Sequence, residues 1–156
     1  MDLANPPQQV LATDVLHGNY VLLRADTLRL LVPQADVGAT EHIGGVPQAT
    51  DDPGMFMLGE GDAVQAVVAL SPDMRASVMF PADRFLLTPL RSQWGELSFA
   101  WNEVRVLIAP NFRRHALPTA IQLEGAPIDA YVEFDGALAL CTTAERVMAR
   151  VMTPSA

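Results

Sequence analysis

The side chains in this sequence best suited to chemistry are His17, His42 and His115, the single Cys141, and the paired carboxylates Asp51-Asp52. Metal binding needs His, Cys, Asp or Glu grouped at ligand spacing. The histidines are far apart in sequence, and the adjacent pair Glu41-His42 on a strand would point to opposite faces. No metal site is expected. A thiol at a helix N-terminus can be activated, and Cys141 stands between an apolar strand and a helical pattern. Its leucine neighbours favour a small core hydrophobe instead. Asp51-Asp52 lies in a Gly/Pro-rich stretch, whereas a general acid wants a carboxyl held in a dry pocket. Gly59-Glu60-Gly61-Asp62 reads as a turn, and neither a G-x-S-x-G elbow nor a strand-following G-x-G-x-x-G occurs. No catalytic residue is assigned, and no cofactor is expected.

Charge narrows the field further. The net charge is −8, and the ten basic residues are all arginine. Schiff-base, PLP and P-loop chemistries that need a lysine are therefore closed to this chain. An acidic protein repels a phosphate backbone, and Arg113-Arg114-His115 is too short a cluster to track one. What remains is protein contact. Trp94, in the polar turn Arg91-Ser92-Gln93-Trp94-Gly95-Glu96, is the candidate for an exposed anchor. Phe112, Arg113 and Arg114 form a second candidate contact, since aromatics and arginine are enriched at interfaces. Trp101 is equally good core material.

The elements that must position these groups are short strands. Tyr20 to Val37 reads as strand, polar turn, strand and a proline-led turn that recovers an apolar anchor at Val37. Its turn, Ala25-Asp26-Thr27, lacks Gly, so a loop longer than two residues is expected. Pro33 should end the second strand or place it at an edge. Further strands are expected in 39–43, 55–58, 64–70 and 85–87. Residues 97–100 and 104–108 are expected as a hairpin joined by Trp101-Asn102-Glu103. Residues 44–54 carry loop composition. Ala130–Phe134 and Ala137–Leu140, around Asp135-Gly136, carry a type I′ hairpin signal in which Phe134 faces Ala137 and Val132 faces Ala139. A helix should follow, capped by Thr142 with Glu145, its Ala144, Val147, Met148, Val151 and Met152 on one face and Pro154 at its end.

Frequent turns between short apolar segments point to an all-β core with a terminal helix, and a mixed α+β fold is the second reading. No apolar run approaches the ~20 residues that span a bilayer. The N-terminal Met1-Asp2-Leu3-Ala4-Asn5-Pro6-Pro7 lacks a signal core, so cytoplasmic residence is expected. Residues 1–16 read as a tail or lead-in, its second half a short helix or irregular, and 17–156 as a single domain.

Several stretches carry a resemblance. Tyr20 to Val37 resembles the opening of CheW-like chemotaxis coupling domains: an apolar strand, an Asp-containing turn, a second strand and a Pro-x-x-x-Val, here Pro33-Gln34-Ala35-Asp36-Val37. Trp94-Gly95-Glu96-Leu97 and Asn102-Glu103-Val104 are similar to a later strand–turn–strand of that family. So are Leu117-Pro118, Ala126-Pro127-Ile128, Phe134-Asp135-Gly136 and Ala144-Glu145-Arg146-Val147. The family's Asn-x-Arg-Gly turn is missing. Its place holds Leu70-Ser71-Pro72-Asp73-Met74-Arg75, and no contact residue is carried over. The resemblance implies two small β-barrel subdomains sharing a core, with a C-terminal α-helix and no catalysis. It also implies an adaptor that joins chemoreceptors to a histidine kinase. The alternative is a small-molecule-binding β-domain or minor enzyme with a pocket between the subdomains.

Overall fold

The stretch with the clearest strand pattern forms the spine of the molecule. β1 (Tyr20–Ala25) and β2 (Leu28–Pro33) pair antiparallel from Tyr20↔Pro33 to Ala25↔Leu28. Only Asp26 and Thr27 lie between them, so the turn is tighter than its Gly-free sequence suggests. Asp26 supplies the left-handed backbone that glycine usually provides, at φ 56°. Its N–H donates to Asn102 Oδ1 and its carboxylate accepts from Arg84, and these two contacts hold the conformation. β2 stops at Pro33 as expected, and a 3-10 turn (Gln34–Asp36) returns the half-buried Val37 to the core.

The structure, a computed structural model, describes residues 16–117, 128 and 130–152. The expectations for the tail and nearly all the lead-in, for Pro118, Ala126 and Pro127, and for Pro154 lie outside the described residues. Between β2 and the C-terminal region run β3 (Glu41–His42), β4 (Gln48–Ala49), β5 (Phe56–Leu58), β6 (Gln65–Ala69), β7 (Leu86–Ser92), β8 (Gly95–Trp101) and β9 (Glu103–Leu107). β10 (His115–Ala116), β11 (Ala130–Phe134), β12 (Ala137–Cys141) and the helix α1 (Ala144–Met152) complete the described chain. Two six-stranded sheets result, with orders β10-β11-β12-β2-β1-β9 and β3-β7-β8-β6-β5-β4. Each holds one parallel pair, β12 with β2 and β6 with β8, amid antiparallel neighbours.

Strand alternation sorts the apolar residues into three clusters. Leu22, Leu31, Val132, Ala139 and Cys141 fill the first sheet's own interior. Leu58, Val67, Ala69, Leu87 and Ala100 fill the second's. The opposite faces meet in a shared core, where Val21, Leu23, Leu30 and Val32 pack with Val68, Leu90, Phe99 and Trp101. α1 adds Ala144, Val147 and Met148 to that core, as its apolar stripe demands. The fold is thus mainly β, two curled sheets sharing a core and closed by one C-terminal helix, as expected.

Several local expectations are corrected. β8 and β9 form no hairpin: the chain crosses at Asn102 from the second sheet into the first, where β9 pairs with β1. The hairpin partner of β8 is β7, joined through Gln93-Trp94. β7 also runs through Pro89 rather than stopping before it. A strand residue's N–H and C=O point to the same side, and Pro89's C=O accepts the Gly38 N–H at 2.8 Å. The missing donor therefore faces away from β8 and disrupts no β7–β8 bond. Gly38 is needed for that approach, since a Cβ there would lie 2.4 Å from Pro89 Cγ. The loop at 44–54 holds the short β4. The β11–β12 hairpin has the expected register, with Asp135 at φ 53° and Gly136 at φ 76°. The helix cap shifts by one residue. Thr143 Oγ1 accepts the Arg146 N–H at 3.2 Å, and the Asp36 carboxylate accepts the Ala144 N–H at 3.0 Å. Thr142 is buried, its N–H bonded to Leu31 C=O, so a capping box with Glu145 is replaced by a remote carboxylate.

Candidate functional site

The β7–β8 turn places Trp94 at the tip of the second sheet. Its N–H is held by Ser92 Oγ at 3.1 Å, Gly95 follows at φ 114°, and the indole is 51% exposed. The neighbouring Gln93 amide reaches Glu145 on α1 at 3.3 Å, so Trp94 stands at the corner where the second sheet meets the helix. Trp101, by contrast, is fully buried in the shared core and stacks on Phe99 at 5.9 Å. The two tryptophans therefore divide into one surface and one core residue.

Phe112 to Arg114 lies on the other sheet. Phe112 is half-buried, its ring 5.2 Å from Phe134 in a T-shaped contact, so it plugs one end of the first sheet's interior. Arg113 is exposed. Arg114 is half-buried near Cys141, where its charge partly opposes the effect of burial on the thiol. His115 stacks on Tyr131 at 5.1 Å. The four candidate contact residues occupy two separate places rather than one patch.

Exposed apolar residues missed in the sequence reading lie elsewhere. Val78 and Met79 are 69% and 77% exposed on the segment joining β6 to β7, and Phe85 is 60% exposed at its end. Val106 and Ile108 stand on and just past β9, an edge strand. The run Val104-Arg105-Val106-Leu107-Ile108 signalled a strand with apolar residues on both faces. Its position at a sheet edge depended on pairing with β1, far away in sequence.

A polar junction locks the two sheets together. The Arg84 side chain, 1% exposed, donates to Leu70 C=O at 3.0 Å, Ala100 C=O at 3.3 Å and Asp26 Oδ2 at 2.8 Å. Asn102 donates through its backbone to Arg24 C=O and through its side chain to Asp83 C=O, both at 2.8 Å. On the flank, Glu103 accepts from Arg24 at 3.2 Å and from Arg105 at 2.6 Å, and these guanidiniums hold its carboxyl below the usual range. Much of the arginine complement is thereby engaged within the fold.

The candidate groups for chemistry stay apart among the described residues. Burial pushes the Cys141 thiol up to about 11, the opposite of an activated nucleophile. Asp51 and Asp52 are exposed. Among the described residues no three His, Cys, Asp or Glu side chains gather to hold a metal ion. The space between the sheets, where the alternative reading put a pocket, is filled by the shared core. A concavity of about 980 Å³ lies instead at the mouth of the second sheet, with Glu41, His42, Gly44, Gln48 and Glu60 around it. Among the described residues no helix is long and apolar enough to cross a membrane.

Comparison with known proteins adds the fold's relationship. No family model matches the sequence, and no curated protein matches it. Among solved structures the chain is similar to the scaffolding protein TtCheW from Thermoanaerobacter tengcongensis. The TM-score is 0.59 at 8% identity, over 85% of this chain and 92% of that one. The fold is CheW-like.

Proposed function

We propose that this protein is a non-catalytic adaptor of a bacterial chemosensory system, coupling receptors to a histidine kinase on the cytoplasmic side. The observation that carries the reading is the pair of curled sheets with a shared core, matched over most of its length by a protein described as a scaffold. The absence of lysine-dependent chemistries and the raised thiol pKa of Cys141 agree with it. Residues 17–156 act as one unit in this reading. Trp94 is the partner anchor, because an exposed indole on a hydrogen-bonded turn offers large contact area with few rotatable bonds. Arg113 and Arg114 supply a second, polar contact, with Phe112 as its support.

The test is a pull-down of the tagged protein from lysate of its source organism after mild cross-linking, with wild type and Trp94→Ala compared by mass spectrometry. The expected result is recovery of a histidine kinase or chemoreceptor, reduced in the variant. Recovery of neither, or equal recovery with both proteins, removes the adaptor reading or the role of Trp94 respectively. A small-molecule-binding domain is the second reading, favoured by the concavity of about 980 Å³. Its rim residues Glu41, His42, Gly44 and Gln48 are all exposed, which describes an open trough more than an enclosed pocket.

A further inference from the structure

The second sheet is an unfinished barrel. Its order, β3-β7-β8-β6-β5-β4, ends in β3 on one side and β4 on the other, so among the described residues each has a single ladder partner and one unpaired edge. Residues 43–47 carry the chain from one edge to the other without pairing them, and the trough lies between. Unpaired strand edges are templates for a further strand.

The lining states what kind of strand. The floor holds Leu58 and Leu87, both buried members of the second sheet's interior cluster. The rim holds Glu41 and Glu60, both exposed and without an ion-pair partner among the described residues. No arginine lines the trough. Gly45 faces the floor, where an added Cβ would lie 3.7 Å from Leu58 Cδ1. An apolar floor beneath an acidic rim matches the alternation of a strand with apolar residues on one face and basic residues on the other.

We infer that the gap between β3 and β4 is a docking site for an extended peptide of alternating apolar and Arg/Lys residues, supplied by another protein and completing the second barrel as its missing strand. The chain's own first 15 residues contain no Arg or Lys and do not fit the charge of the rim. The site is distinct from Trp94 and stands whether or not the partner is a chemosensory kinase.

The experiment pans a phage-displayed library of random decapeptides on the full chain, then measures the selected peptides by fluorescence anisotropy. Arg/Lys-rich, alternating sequences are expected, with binding that weakens as salt rises. Glu41→Gln combined with Glu60→Gln should weaken binding about three- to tenfold. Gly45→Trp, whose added Cβ would face the floor residue Leu58 at 3.7 Å and whose backbone has no left-handed requirement, should abolish it. Trp94→Ala should leave it unchanged, and this separates the inference from the adaptor reading. Thermal midpoints close to wild type certify that the variants are folded. If Gly45→Trp unfolds the chain, Glu60→Arg takes its place with the same expected loss. Failure to enrich any peptide, enrichment of acidic sequences, or selected peptides that bind the variants as well as wild type would each overturn the inference.

Discussion

Replacing Arg84 by methionine tests the polar junction between the two sheets. The wild-type guanidinium is almost fully buried and makes three charge-assisted hydrogen bonds, to the main-chain carbonyls of Leu70, just past β6, and Ala100 in β8, and to Asp26 in the β1–β2 turn. Methionine keeps much of the side-chain volume and removes all three. The Leu70 and Ala100 carbonyls then lose a buried donor, at about 1–3 kcal/mol each. The Asp26 contact adds less, because that carboxylate is 43% exposed and water replaces its partner. Arg84 Nε is buried without a partner in the wild type, so its removal returns part of the loss. The net expectation is a destabilisation of about 3–5 kcal/mol, most of it from the two carbonyls left without a buried donor.

Urea unfolding at neutral pH measures this directly, and the midpoint of thermal unfolding should fall by roughly 10–15 °C. Asp26→Asn alone should cost about 1–2 kcal/mol. In the Arg84→Met background the same change should cost almost nothing, since its energetic partner is gone. A loss below about 1 kcal/mol for Arg84→Met, or full additivity in the double variant, would refute the reasoning. Either result would mean that apolar packing alone joins the sheets.

Trp94→Ala should leave the urea midpoint nearly unchanged, whereas Trp101→Ala should cost about 3–5 kcal/mol, because Trp101 is fully buried and Trp94 is not. Equal losses in equilibrium unfolding would contradict the assigned locations. Cys141 should resist a thiol-specific reagent near pH 8 until the chain is unfolded, because burial raises its thiol to about 11. Since the folded state holds that proton more tightly, the associated stability is fully present below the unfolded thiol pKa. It is lost as pH rises toward 11, which a pH series of unfolding midpoints with Cys141→Ala as control would detect. Thr143→Ala combined with Asp36→Ala should lower stability by about 1–2 kcal/mol by freeing two N–H groups at the start of α1. Unchanged helix stability, read by amide exchange in α1, would show that the cap is dispensable.

What the sequence made legible was local. Asp135-Gly136 between alternating strands fixed the last hairpin and its register, because both turn residues take the left-handed backbone such turns require. The apolar spacing of α1 likewise identified its buried face. The failures concern contacts between distant residues. A one-residue shift of the helix cap followed from Asp36, which arrives from the end of β2. The tight Asp26-Thr27 turn depends on Asn102 and Arg84 to hold a non-glycine residue at positive φ. The supposed β8–β9 hairpin resolved into two sheets because Asn102 bonds to the backbone of β1. The exposure of Trp94 could be read from its polar neighbours. The packing of Phe112 against Phe134 could not, since their meeting depends on closure of the first sheet.

The location of the core constrains the activity more strongly than any single residue. Enzymes and ligand binders of two-lobed architecture commonly place their site between the lobes, and here that space is packed with Phe99, Trp101, Leu23 and the apolar face of α1. Arg84 and Asn102 then pin the two lobes at the rim of that packing, and opening it would expose buried carbonyls. Hinge closure around a substrate is therefore an expensive motion for this fold. The large apolar side chains that remain in contact with solvent, Trp94, Phe85, Val106 and Ile108, lie instead on turns, a connecting segment and a sheet edge. In the proposed adaptor role, a rigid body with its apolar contacts dispersed over its outer surface would hold other proteins in fixed relation. The same rigidity makes the unpaired β3 and β4 edges a preformed receptor for a strand, because neither edge has to be uncovered first.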